Sequence, residues 1–414
     1  MNHVTPIDAR MLERFEQGYA ARPELNVMSN AVSRTALPDA AFVPAAAAKL
    51  RMDFSVLVKT NNITNQKQSG RCWMFSTLNV LRQRVIAKCD LEDFSFSPTY
   101  LAFYDKLEKA NLFLENILHF ADQELTDRET YTLLGNPLPD GGQWDMFANI
   151  VRKYGVVPKD VYDETYQSSN TRNMNAQLNR ALKVAAAKLR KMTAEKADEA
   201  AIQTEKNKAL DAIYGFLCSC YGEPPKAFDF EFVDKDKVYH IEKNLTPLTF
   251  AERYVGDLLD QIVSIINAPT ADKPYHKTYT IRLLGNVAEG RPVVHLNLTM
   301  DEFKAAIIAQ LKAGKVVWFG SDVGHYGERT MGIWDDNSFD FAALTGLPLA
   351  MDKTDALDYG LAAMNHAMVL TGVNLDEAGK PTRWKIENSW GDKNGEKGYY
   401  VCSDSWFDQY VFQA

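Results

Sequence analysis

Five cysteines (Cys72, Cys89, Cys218, Cys220, Cys402) and seven histidines (His3, His119, His240, His276, His295, His325, His366) are the side chains with the most reactive chemistry in this sequence. A cysteine nucleophile works as its thiolate, so its pKa must fall; a helix N-terminus and a nearby imidazolium both promote this. Cys72 stands where the first condition is expected. The polar, Gly-containing turn Asn65-Gln66-Lys67-Gln68-Ser69-Gly70-Arg71 runs into a stretch with Trp73, Phe75, Leu78, Leu81, Val85 and Ile86 at helical spacing. The other four cysteines read as inert, packed thiols. Cys218 and Cys220 have CxC spacing, but no nearby cysteine pair completes a zinc site, so no metal is expected.

The second condition requires a distant histidine brought in by folding, and a third group to orient it. His366 opens the strand-like run Ala367-Met368-Val369-Leu370. His325 lies in a turn, as a surface or cleft residue, and His295 alternates with apolar neighbours as a core or sheet histidine would. Asn388 follows His366 by 22 positions, in Trp384-Lys385-Ile386-Glu387-Asn388-Ser389-Trp390-Gly391. A neutral amide can hold an imidazole by one hydrogen bond without adding a charge, and Trp390 can shield that bond from water. Alternatively, Asn388-Ser389 is a turn after a strand; spacing alone leaves both readings open.

The elements that must position these groups differ between the two ends of the chain. Residues 1–54 mix short helical stretches with Ala/Pro segments and read as an arm over a domain surface. Helical patterns follow from Cys72 to Ile86, after Ser97-Pro98, and from Trp144 to Tyr154 up to Gly155. The turn Pro139-Asp140-Gly141-Gly142-Gln143 separates the last two. Residues 171–220 are the most helix-prone, with Leu178, Leu182, Ala185, Leu189 and Met192 on one face and a charged, solvated face opposite. Short strands are expected at 293–296, 316–319, 367–370, 384–387 and 398–401. The pattern predicts an α+β fold with segregated helical and β parts.

At 414 residues, 46% hydrophobic and 24% charged, the composition is that of a globular protein with a large core. Mean hydropathy is −0.29, and no apolar run of membrane-spanning length appears. The first residues, Met1 to Pro6, lack a basic region followed by an apolar one, so no secretory leader is expected. The sparse, odd set of cysteines fits a reducing cytoplasm rather than a disulfide framework. A net charge of −8 argues against nucleic-acid binding.

The segment Gln66-Lys67-Gln68-Ser69-Gly70-Arg71-Cys72-Trp73-Met74-Phe75-Ser76 resembles the nucleophile segment of papain-like cysteine peptidases. Asn365-His366-Ala367-Met368 and Glu387-Asn388-Ser389-Trp390-Gly391 resemble the other two catalytic segments, in the right order. Arg71 departs from the compact enzymes, which usually carry Ser or Ala there. Thr60–Gln66, Asp140-Gly141-Gly142-Gln143-Trp144, Gly320-Ser321-Asp322-Val323-Gly324 and Ser403-Asp404-Ser405-Trp406-Phe407 are similar to the bleomycin hydrolase and aminopeptidase C branch. Cys72 and His366 are 294 positions apart, against roughly 130–150 in compact relatives. The excess calls for a large insertion.

The resemblance implies a two-lobed catalytic core. After the arm come a helical lobe with the nucleophile (55–164), a mainly helical insertion (165–290) and a β-rich, barrel-like lobe with His366 and Asn388 (291–414). It implies a cysteine aminopeptidase acting on peptides without cofactor or metal. Cys72 would be nucleophile, His366 acid and base, Asn388 its orienter, Gln66 the oxyanion donor and Trp390 a support. It further implies homohexamers, and a C-terminal arm in the cleft that restricts family members to peptide N-termini. This sequence stops at Ala414, where family members continue into that arm, so a cysteine endopeptidase or oligopeptidase is the alternative. A non-catalytic binding protein on the same fold is the reading from a different class.

Overall fold

The computed structural model describes residues 4–414; Met1–His3, and with them the histidine at position 3, lie outside the described residues. The nucleophile stretch forms helix α1 (Cys72–Lys88), with Arg71 at its N-cap. Trp73, Met74, Leu78, Leu81 and Val85 are buried on it, but so are Ser76, Thr77, Asn79 and Arg82. Burial on nearly every side makes α1 a central helix rather than a surface one. Around it pack α2 (Pro98–His119) and α3 (Trp144–Tyr154). The Ser97 side chain caps α2 by accepting the Tyr100 N–H, the proline stands at its first position, and Gly155 ends α3 at φ +76°.

The helix-prone stretch after residue 170 forms α4 (Thr171–Ala194) and α5 (Glu199–Tyr221), both packed on α2. Leu178, Leu182, Ala185 and Leu189 are buried, as their spacing predicts. The insertion is not helical throughout. Phe228–Val233 and Tyr239–Leu245 pair as an antiparallel hairpin, and Ile265–Ile266 and Thr278–Thr280 join the main sheet.

Among the described residues that sheet has 11 strands. Its centre is β1 (Val317–Ser321), β2 (His366–Leu375), β3 (Pro381–Glu387) and β4 (Tyr399–Ser403), neighbours in that order and antiparallel. Strand β5 (Val411–Gln413) pairs with the outer side of β1. Each expected strand is present, and the α+β expectation holds. The sheet stays open, ending at Thr278–Thr280 on one side and Gly327–Glu328 on the other.

Alternation along β1 and β2 joins the two halves. Trp318 and Ala367 face the core shared with α1–α5, while Val317, Phe319, Met368 and Leu370 face a second core. Helices α6 (Met300–Lys312) and α7 (Asp404–Tyr410) cover that second core with Phe303, Ile307, Trp406 and Phe407. The first residue of α1 and the first residue of β2 therefore meet at the seam between a helical layer and a sheet. Among the described residues no helix is long and apolar enough to cross a membrane.

Candidate active site

Cys72 is the first residue of α1, where backbone N–H groups have no partner inside the helix. The backbone N–H groups of Ala367, Trp73 and Cys72 itself lie near enough to its sulfur to favour the thiolate. Ala367 directly follows His366, so Cys72 lies beside the backbone that carries the imidazole although 294 positions separate the two residues. His366 is buried, and register places it opposite Ser321 of β1.

His366 Nε2 lies 2.9 Å from Asn388 Oδ1. That oxygen also accepts the Ser389 N–H at 2.7 Å, which fixes the amide orientation. Asn388 Oδ1 is thus an acceptor, His366 Nε2 carries the hydrogen, and Nδ1 keeps its lone pair. The Trp390 ring stacks on the imidazole, with centroids 4.7 Å apart and planes at 25°. The Arg329 guanidinium lies 4.6 Å from the Trp390 centroid. Asn388 is fully buried and its Nδ2 has no hydrogen-bond partner among the described residues. The four residues Cys72, His366, Asn388 and Trp390 are brought together.

Burial sets the charges. It pushes the His366 pKa down to about 4, against the opposing pull of the Asn388 hydrogen bond. It also pushes the Cys72 thiol up, with the three N–H groups pulling the other way. The expected helix start is there, but desolvation outweighs the pull of its N–H groups on the thiol. Burial therefore disfavours each ion when it is formed alone.

Gln66 stands beside this pair. Its backbone N–H donates to Ser389 O at 2.8 Å, Asn65 bridges to Trp390, and the Gly391 N–H donates to Thr64 O at 3.0 Å. Residues 64–66 thus run antiparallel to 389–391. Gly391 has φ +78°, and a Cβ there would come within 2.5 Å of the Asn65 amide, so the pairing requires glycine. The Gln66 side chain accepts from Ser389 Oγ at 2.7 Å and donates to Ser69 O at 2.6 Å. One Nε2–H remains for a ligand.

Arg71 is buried and forms a forked pair with Glu164, at 3.1 and 2.7 Å. Its Nε donates to Ser69 Oγ at 3.0 Å, and Ser69 Oγ donates to Gln66 O at 2.6 Å. The departure from Ser or Ala therefore has a structural use: Arg71 ties the loop before Cys72 to the segment entering the insertion. Arg82 of α1 pairs with Glu387 at the end of β3. On the sheet side, Asp322 accepts the Asn365 side-chain amide at 2.6 Å and the Ala363 N–H at 3.1 Å, fixing the approach to His366.

The other histidines fall elsewhere. His295 is buried in its strand, with Nδ1 2.8 Å from Ser264 Oγ. His325 lies 3.5 Å from Asp322 and stacks on Tyr410. All five cysteines are free, and among the described residues no acidic, His or Cys cluster suits a metal ion. Ser389, Glu164 and Arg82 were not singled out in the sequence; Ser389's place beside Asn388 was the only available signal.

The Peptidase C1-like family profile matches residues 6–414. Aminopeptidase C of Streptococcus thermophilus is 47% identical over 410 residues, which are 99% of this chain and 92% of that protein. Aminopeptidase C of Listeria monocytogenes is 43% identical with the same coverage. The crystal structure of PepW from Lactobacillus rhamnosis is similar at TM-score 0.97 and 49% identity, covering 99% of this chain and 92% of that one.

Proposed function

The chain belongs to the Peptidase C1-like family, and from that premise we propose how its residues share the work of a cysteine aminopeptidase. Cys72 is the nucleophile. Its proton passes to His366 Nδ1 as the sulfur attacks the carbonyl carbon of the first peptide bond. The oxygen, now negative, is met by the free Nε2–H of Gln66 and the Cys72 N–H. His366 gives its proton to the leaving amine, and the C–N bond breaks to leave a thioester. Water, deprotonated by the same ring, then displaces the thiolate and releases the amino acid. Asn388 orients the ring, and Trp390 keeps water from the bond between them.

The observation that carries this reading is the Ala367 N–H against the Cys72 sulfur, with His366 one residue before and Asn388 2.9 Å from its ring. The high identity to proteins named Aminopeptidase C supports exopeptidase action. Peptides are the substrates.

Membership of the bleomycin hydrolase and aminopeptidase C branch is supported by the segments quoted above, and assembly as a homohexamer by that resemblance. Five free thiols support a reducing, cytoplasmic setting. The four-part division at 54, 164 and 290 is kept as a functional one, with the catalytic groups on the second and fourth parts.

An aminoacyl-fluorophore is the test substrate, beside the same compound with a blocked N-terminus and with Cys72→Ala as control. Cleavage of the free amine only is expected. Cleavage of both means endopeptidase action, and activity in Cys72→Ala removes the mechanism.

A further inference from the structure

Asp140 lies in the turn between α2 and α3, outside the groups assigned above. Both of its carboxylate oxygens are doubly used. Oδ1 accepts from Lys106 Nζ at 2.6 Å and Asn175 Nδ2 at 2.7 Å; Oδ2 accepts from Thr171 Oγ1 and from the Gly70 N–H at 3.1 Å. Its backbone carbonyl accepts the Trp73 indole N–H at 2.8 Å. One residue therefore grips the chain on both sides of Cys72, at Gly70 and at Trp73.

The grip is tight and stiffly supported. A Cβ on Gly70 would come within 2.7 Å of the Asp140 Cβ, and one on Gly142 within 2.7 Å of the Trp73 ring. Lys109 Nζ donates to the carbonyls of Pro139 and Gly141, at 2.9 and 2.7 Å, locking the turn to α2. A carboxylate alone can take four donors here; an amide would turn an NH2 toward two of them.

We propose that Asp140 is a positioning residue that fixes the direction of the Cys72 backbone N–H, and so the geometry of oxyanion stabilisation, by holding Gly70 and Trp73 at once. This rests on the assignment of Cys72 as nucleophile. The ion pair with Lys106 keeps Asp140 ionised in a buried place, so all four donors stay engaged.

The test compares two reactions of the same sulfur in the full chain. Alkylation by iodoacetamide needs the thiolate but forms no oxyanion; hydrolysis of an aminoacyl-fluorophore needs both. In Asp140→Asn, and in the charge-balanced Asp140→Asn/Lys106→Met, kcat is expected to fall about 10–100-fold. KM and the alkylation rate should stay within about 3-fold of wild type, a split that general loosening does not produce. Trp73→Phe, which removes the indole N–H together with part of a buried ring, keeps the test open if the Asp140 variants fail to fold, and should show the same split at about 3–10-fold with alkylation retained. Parallel loss of alkylation and hydrolysis, or unchanged kcat in a folded Asp140 variant, overturns the proposal. If wild-type protein alkylated at Cys72 still hydrolyses substrate, the nucleophile assignment falls, and the positioning role with it.

Discussion

Arg82 and Glu387 face each other at 2.8 Å with each side chain only 1% exposed, and so join the helix that begins with Cys72 to the strand that leads into Asn388. Arg82 also donates to Asn62 O at 2.8 Å, on the segment leading to Gln66. Burial raises the Glu387 pKa even with the guanidinium beside it. Breaking such a pair strands a charge in the interior, so Arg82→Met should cost about 3–5 kcal/mol. The double variant Arg82→Met/Glu387→Leu should recover most of that loss in denaturant unfolding, because neither charge is then left behind.

His366 supplies a pH-dependent term that can be isolated in Cys72→Ala, where no thiolate can hold a proton on the ring. Its folded pKa is about 4, below the unfolded value near 6.5. Well above pH 6.5 the ring is neutral in both states and the term vanishes. As pH falls toward 4, the unfolded state takes the proton first, and stability is lost. The loss should reach about 3 kcal/mol at pH 4. Unfolding of Cys72→Ala and Cys72→Ala/His366→Asn across this window checks it, the second protein lacking the slope.

In the proposed mechanism Gln66→Ala removes an oxyanion donor and little packing. Steady-state kinetics should show kcat lower by about 10²–10³ with KM nearly unchanged. Ser389→Ala removes only the 2.7 Å bond that orients the Gln66 amide, and should produce a smaller fall in the same parameter.

Arg71→Lys keeps the charge and loses the fork. One amine cannot replace both bonds to Glu164 and the Nε bond to Ser69 Oγ. Thermal unfolding should show a loss of about 1–3 kcal/mol. A variant as stable as wild type would mean that the loop before Cys72 is held without this clamp.

Much of the fold was legible because hydrophobic period reports local structure. Helix α1 was expected from Cys72 to Ile86 and runs to Lys88, and all five short strands appear with their ends moved by a few residues. The hairpin at Phe228–Val233 and Tyr239–Leu245 was passed over inside a segment read as mainly helical. The alternation Phe228, Phe230, Phe232 before Asp234-Lys235-Asp236-Lys237 carried its signal. What no local pattern carries is which charge meets which. Arg71 and Glu164 are 93 positions apart; Arg82 and Glu387 are 305 apart. The choice of Asn388 over a plain turn likewise needed β2 and β3 in register, since Val369 opposite Glu387 sets the strand end beside His366.

In the proposed mechanism one sulfur, that of Cys72, carries the acyl group. The decisive measurement is to mix the protein with an equimolar peptidyl epoxide and map the adduct by mass spectrometry. The expected result is a single adduct on Cys72 with loss of all hydrolysis, Cys89, Cys218, Cys220 and Cys402 staying unmodified. An adduct on another cysteine that abolishes activity, or full activity after complete modification of Cys72, would contradict it.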